Sequence, residues 1–476
     1  MTPTHPGEGA AAHPLRYDRL VWYGGLAGLG LVFAGGLAVA LAAPMWAWLL
    51  PVAALAGAGL AALPRRASTL LLLQLGLFSL VSGHSEGLDP EEILFAAGQF
   101  GYLAWWFWTR VFVYRLPLLR DLCDVVMFGF LLYIPLSLGL TALFSGSLSL
   151  AATECLSLSM LALYFPFREV IETEENGLRI VVAVVLAFGL IGTIRVLGSV
   201  RSALADAEYA WQVAQGRVPM NETLLYSASL LTLCLASLAR NWKVRALIIG
   251  GFTLFTLGLI MTQWRAYYIG WVIGVCAILV WGSPRVRRQT IGLGMLASVV
   301  GSLLAIAVLG QTFIVAAVGI AERILSIGSA NSSDISLLNR YLEYEALWPV
   351  LLESPVFGHG PGVTFAFYDA IFKGTWVKSY AHNTYLLVWF KFGLVGLAAF
   401  VGVWGYTLRS AVRLRRTSAT AFERACALFV AAALAGLAVS SLVSVALVTD
   451  DTAYNFAVLF AIGAGLRARS LRSGVQ

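Results

Sequence analysis

Apolar stretches of about 20 residues, the length a helix needs to cross a bilayer, recur from Leu20 to Leu466 and are broken by polar joints. Read with a window of about 19 residues, the chain predicts helices near 20–43, 45–63, 68–83, 93–109, 122–144, 147–167 and 178–194. Further ones follow near 223–239, 246–264, 267–282, 290–310, 385–408, 425–448 and 453–466. The expected fold class is an all-α polytopic membrane protein with about 12–14 transmembrane helices, since 68–83 and 453–466 are short and only Pro44 separates the first two. A β-barrel would show short alternating strands instead. The run Leu20 to Ala43, preceded by Arg16 and Arg19, is too long for a secretory h-region and reads as a retained first span.

Two joints exceed an ordinary connection. Val196 to Glu222 mixes charge with apolar residues and predicts an amphipathic helix on the membrane surface. The longer, 311–384, is the one large polar block, and a connection of that length in a compact protein is usually functional. Within it, Leu337 to Glu353 has apolar residues at helical spacing and is stopped by Ser354-Pro355. Gly358-His359-Gly360-Pro361-Gly362 follows, whose glycines permit positive φ and close approach of backbone to a ligand. The expected organisation is a loose tail over 1–18, a bundle of about eleven spans over 19–310, the large loop over 311–384, further spans over 385–466 and a second tail over 467–476.

Composition sharpens this picture. The chain is 59% apolar and 12% charged, with a mean hydropathy of +0.81, whereas an ordinary soluble enzyme carries roughly twice the charge. The net charge of +7 does not point to nucleic acid, because the basic residues sit at the ends of apolar segments and form no stripe with interleaved aromatics. With a cytoplasmic N-terminus and one crossing per span, most of the 32 Lys and Arg fall on the cytoplasmic side, which predicts that both termini are cytoplasmic. The basic residues left outside are Arg195, Arg201, Arg217, Arg265, Arg323, Arg340, Lys373, Lys378 and Lys391. Cys123, Cys155, Cys234, Cys276 and Cys426 all lie in apolar segments without C-x-x-C pairing, so neither a zinc site nor a disulfide framework is expected. The outer carboxylates show no D-x-D or E-x-x-H pattern, and no divalent metal or other cofactor is expected.

A few residues stand out chemically. His382, in Tyr380-Ala381-His382-Asn383-Thr384-Tyr385, lies where the long loop enters the next span; it is either a group able to exchange a proton near neutral pH or an interfacial residue bonded to a carbonyl. Arg265 lies among apolar residues between two tightly joined spans, and Arg195 ends the seventh; each either faces a cavity or partner or reaches to the headgroups. Two guanidiniums at one depth suit a diphosphate, because each offers a planar fork of donors. Arg340 has Glu343 and Tyr344 one turn further on, a spacing that also fits a plain intrahelical ion pair. Glu154, near the outer end of the sixth span, reads as an acceptor inside the bundle.

The stretch Asn339-Arg340-Tyr341, Glu345-Ala346-Leu347-Trp348, Ser354-Pro355-Val356-Phe357-Gly358-His359-Gly360-Pro361-Gly362, Ala381-His382-Asn383-Thr384-Tyr385-Leu386 and Gly393-Leu394-Val395-Gly396 resembles the signature of the O-antigen ligase and polymerase superfamily. The setting of Arg265 resembles that family's second motif, so the likeness covers residues 260–400. It implies a GT-C-like membrane glycosyltransferase with a large periplasmic loop in the bacterial inner membrane, its active site on the periplasmic side, using neither metal nor nucleotide sugar. The implied donor is a glycan on undecaprenyl diphosphate; the acceptor is lipid A core for a ligase, or another lipid-linked glycan for a polymerase. Membrane lipids are the remaining partners, and no nucleic acid is implied.

By position, the resemblance makes His382 the general base, Arg265 and less directly Arg195 diphosphate ligands, and Arg340 part of the same pocket, with His359, Asn383 and Tyr380 as further pocket residues. Lys391 departs from the pattern, since many relatives carry an acidic residue there. Inverting glycosyl transfer of the ligase type is the expectation. The alternatives are a polymerase with the same donor, or a transporter or flippase, which would place ionisable residues near the midplane.

Overall fold

The computed structural model describes residues 90–206, 222–239, 241–262, 264–309, 335–445, 447, 449–472 and 474. The segments expected near 20–43, 45–63 and 68–83, and His84, lie outside them, as do 207–221 and 310–334.

Residues 89–118 belong to one of two compact units. Here α1 (Pro90–Trp108) runs into a π-turn, Thr109–Val113. The Arg110 guanidinium closes the turn by donating to the Pro117 carbonyl at 3.0 and 3.3 Å, and it sits 5.5 Å from the Trp106 ring centre.

The second unit is a helical bundle. In chain order it contains α2 (Leu122–Leu136), α3 (Leu138–Leu143), α4 (Leu148–Ser159), α5 (Tyr164–Thr173), α6 (Gly177–Asp206), α7 (Glu222–Ala236) and α8 (Trp242–Met261). Then come α9 (Arg265–Trp281), α10 (Pro284–Leu309), α11 (Ile335–Glu353), the strands β1 (Phe365–Asp369) and β2 (Gly374–Lys378), α12 (Thr384–Thr417), α13 (Ala421–Ser440) and α14 (Asp450–Arg472). Among the described residues, six helical stretches are long and apolar enough to cross a membrane, and α7 and α9 are shorter apolar helices. The chain is a multi-pass membrane protein.

Local chemistry sets the helix ends. Asp121 caps α2 by accepting from the Asp124 N–H, and Asn383 caps α12 by accepting from Tyr385 and Leu386. Thr420 and Glu423 form a capping box at the start of α13. Small residues let helices touch: Gly436 of α13 lies against the Gly270 carbonyl of α9, so a Cβ there would overlap it. Gly270 also adjoins Ser440 near the end of α13, while the Trp281 carbonyl at the other end of α9 meets Arg415 just before α13 begins, so α9 and α13 run antiparallel and the start of α9 lies at the end of α13.

α6 continues to Asp206, so the first part of the predicted surface segment is a prolongation of the seventh apolar helix. α12 likewise extends beyond 408 to Thr417, where its last turns carry Arg409, Arg413, Arg415 and Arg416. The 311–384 block adds an antiparallel hairpin that hydropathy did not predict. β1 and β2 pair with Phe367 opposite Trp376, and Phe365, Phe367 and Val363 pack with Leu347 and Leu351 of α11 and Phe390 of α12. This small core fixes the loop onto the bundle. At the opposite end, Arg168 of α5 joins Asp121, Asp124 and Glu172 in a buried charge cluster.

Candidate active site

His382 lies on the last residues before α12, and its partner comes from α11. Its Nδ1 lies 2.7 Å from Oε2 of Glu343, and its backbone N–H donates to Oε1 of the same carboxylate at 2.6 Å. Both Glu343 oxygens are thus engaged by one residue across 39 positions of sequence. The carboxylate is fully buried, while the His382 side chain keeps 26% of its surface exposed. A carboxylate on Nδ1 favours the tautomer with the proton there, leaving Nε2 as the proton acceptor. Glu343, one turn from Arg340 on the same helix, is thus the carboxylate partner of His382.

The surroundings tighten this arrangement. The Tyr344 hydroxyl donates to the His382 carbonyl at 3.1 Å, and Lys378 Nζ stands 4.0 Å from Glu343 and 4.6 Å from the Phe367 ring centre. Tyr380 meets the His382 ring edge to face at 5.7 Å. Burial pushes the Tyr344 hydroxyl up to about 12; Arg340 opposes and Glu343 adds to that rise. Tyr380 is also raised, by burial and then by the Glu343 charge. Both phenols are therefore neutral donors at ordinary pH. Arg340, Tyr380, His382 and Asn383 come together in this group.

The glycine-rich stretch has a different task. Gly393 breaks α12 with φ 63° and ψ −171°, which orphans backbone groups on both sides of the kink. The loop supplies their partners: His359 and Gly360 donate N–H to the Phe390 and Lys391 carbonyls at 2.9 Å each, and Leu394 and Val395 donate to Pro355 and Val356. A span can lose helical backbone where neighbouring protein satisfies it. The close approach expected for a ligand is here an approach to backbone. A Cβ on Gly360 would fall 2.5 Å from the Ser137 carbonyl oxygen, and one on Gly393 would overlap the Val356 carbonyl.

Lys391 and Glu154 belong to the same joint. Lys391 Nζ donates to Glu154 Oε1 and the Val363 carbonyl at 2.9 Å each, and Glu154 Oε2 accepts the Gly362 N–H at 2.8 Å. The departure at Lys391 is thus part of a buried ion pair locking the loop to α4. His359 is 1% exposed, between the rings of Phe144 and Phe390 at 4.4 and 5.3 Å. Burial lowers its pKa; the Phe390 carbonyl and Glu353 oppose this, and Lys391 reinforces it.

Arg195 and the first turn of α9, which Arg265 opens, meet the same part of the bundle. Arg195, expected to end the seventh span, instead lies half-buried within α6, which runs on to Asp206, with Asp451 at the start of α14 as its electrostatic partner. Asp451 and Glu222 also act on Tyr267, two residues after Arg265, and Thr223 donates to Asp451 at 3.4 Å. The first turns of α7, α9 and α14 thus meet around Asp451. They share one end of the bundle with His382, because the Thr384 N–H donates to the Ser441 carbonyl beyond α13 at 2.9 Å.

Residues 250–401 match the family model Wzy_C, described as O-antigen ligase. Over that stretch, about a third of the chain, the sequence is similar to the O-antigen ligase family. No curated protein matches it. The ligase domain opens in α8 and closes in α12, so it contains Arg265, Arg340, His359, Tyr380, His382 and Asn383, while Arg195 and Glu154 lie before it. Sequence reasoning missed Glu343 as the partner of His382; the one signal was an acidic residue at a helical position otherwise spent on the core. It also singled out Lys391 and Glu154 without joining them.

Proposed function

We propose that the protein moves a glycan from undecaprenyl diphosphate to a sugar hydroxyl of lipid A core, as a ligase working at the periplasmic face of the bacterial inner membrane. The observation that carries this reading is the His382–Glu343 pair at 2.7 Å within the matched ligase domain. The acceptor oxygen attacks the anomeric carbon opposite the bond to diphosphate. Its proton passes to Nε2 of His382, and the Glu343 carboxylate balances the imidazolium that forms. As the carbon–oxygen bond breaks, the electron pair leaves on the diphosphate, whose growing charge Arg265, Arg195 and Arg340 stabilise in the role a metal plays elsewhere. A single displacement inverts the anomeric centre. Holding both lipids at one end of the bundle makes their meeting an oriented, effectively unimolecular event.

The test is purified protein in liposomes with undecaprenyl-diphosphate glycan, with and without lipid A core, in chelator. Glycan on lipid A core, with inverted configuration, is the expected product. A ladder on the undecaprenyl carrier would make the protein a polymerase. Retained configuration, or dependence on added divalent metal, would overturn the mechanism.

A further inference from the structure

The end of the bundle opposite His382 holds a cavity of about 420 Å³ between the last turns of α12 and α14. Arg409, Arg413 and Ser410 line it from α12, and Arg467 from α14, with Tyr406 between them. Arg409 and Arg413 are four residues apart and so share a helix face. No carboxylate lines the cavity.

Arg415, Arg469 and Arg472 at this end each have a protein acceptor. Arg415 donates to the Trp281 carbonyl, Arg469 to the carbonyls of Ile171 and Glu174, and Arg472 pairs with Glu172 at 3.4 Å. The cavity arginines differ. Among the described residues, Arg409, Arg413 and Arg467 form no ion pair; Arg467 reaches the charge of Asp121, which already binds Arg168. Its guanidinium lies over the Tyr406 ring at 4.6 Å, and Nη1 is buried without a hydrogen-bond acceptor. A buried donor left unmade is costly unless something fills the role.

We infer that this cavity binds a phosphate-bearing anion. Guanidiniums from two helices offer planar forks that match phosphate oxygens, and Ser410 adds a hydroxyl donor. Basic pockets between membrane helices take acidic headgroups in this way, so the phosphate comes either from an acidic phospholipid or from solution. The site is separate from the glycan chemistry, at the far end of α12.

Native mass spectrometry of the purified full chain tests it, with phosphatidylglycerol or phosphatidylcholine added, alongside calorimetry with inorganic phosphate alone. The pocket variant is Arg409→Gln/Arg413→Gln/Arg467→Gln. The control removes equal charge from exposed positions on the starts of α8 and α10, Lys243→Gln/Arg285→Gln/Arg288→Gln. Wild type and control should hold the anion at least about tenfold more tightly than the pocket variant. Phosphatidylglycerol retained without response to phosphate assigns a lipid headgroup; binding of phosphate alone assigns a soluble source. Equal losses in control and pocket variants, or no anion bound in either arm, would overturn the inference. Should the triple variant aggregate, Arg467→Gln alone removes the unmet donor and tests the same claim.

Discussion

His359 and His382 stand in the same signature, yet their surroundings are opposite. His359 is walled by Phe144 and Phe390, 1% exposed, with Nε2 lacking a hydrogen bond. His382 has a quarter of its side chain exposed and a buried carboxylate on Nδ1. One imidazole is a wedge in a joint between loop and kinked helix; the other is held as a proton acceptor. Membership of a motif does not tell the two apart, whereas the partner on Nδ1 does.

Breaking the joint should have the largest effect. Gly393→Ala puts a side chain at φ 63° and into the Val356 carbonyl, so it should cost about 4 kcal/mol or more and deplete folded protein in size-exclusion profiles. Normal yield and melting would mean that the kink relaxes freely. Removing His382 has its main effect on chemistry: His382→Ala should stay folded, losing about 1–3 kcal/mol because the buried Glu343 oxygen loses its Nδ1 partner, and should lose about 10²–10⁴-fold in transfer rate.

Arg265→Lys keeps the charge but not the fork, and should lower transfer about tenfold if the diphosphate contact is bidentate. Unchanged turnover would make Arg265 a headgroup anchor. The smallest effect belongs to His359→Asn, with turnover within about threefold of wild type. Its signature lies in pH. Because burial holds His359 below its ordinary value, its contribution to stability is present above about pH 6.5 and is lost as pH falls toward the lower folded value. Melting scans from pH 7.5 to 5, as about the range that covers this, should show wild type losing more than His359→Asn; parallel curves would place the loss elsewhere.

Much of the fold was legible because a bilayer imposes a length on apolar runs, and helices lie at the expected segments from 93 onward. The boundaries that moved did so for a physical reason. α12 continues past 408 through Arg409, Arg413 and Arg416, where a helix beyond the hydrocarbon has no need of apolar residues, so hydropathy stops before the helix does. The hairpin escaped because its five-residue strands alternate only locally. His382 was legible by type and place. Glu343 was not, since 39 residues separate it from His382 and local spacing pointed to Arg340 instead. The exchange of hydrogen bonds between the glycine loop and the α12 kink is likewise non-local, and its residues appeared in the sequence as two unconnected stretches, Gly358 to Gly362 and Gly393 to Gly396.

The central claim is that Glu343 makes His382 a working base. Its most direct test is the single-turnover rate of glycan transfer by reconstituted Glu343→Gln, with Glu343→Asp and wild type beside it. The pair predicts a fall on the order of 10²-fold in the chemical step for Glu343→Gln, with unchanged KM and partial recovery in Glu343→Asp. A Glu343→Gln protein that transfers glycan at the wild-type rate would contradict the account.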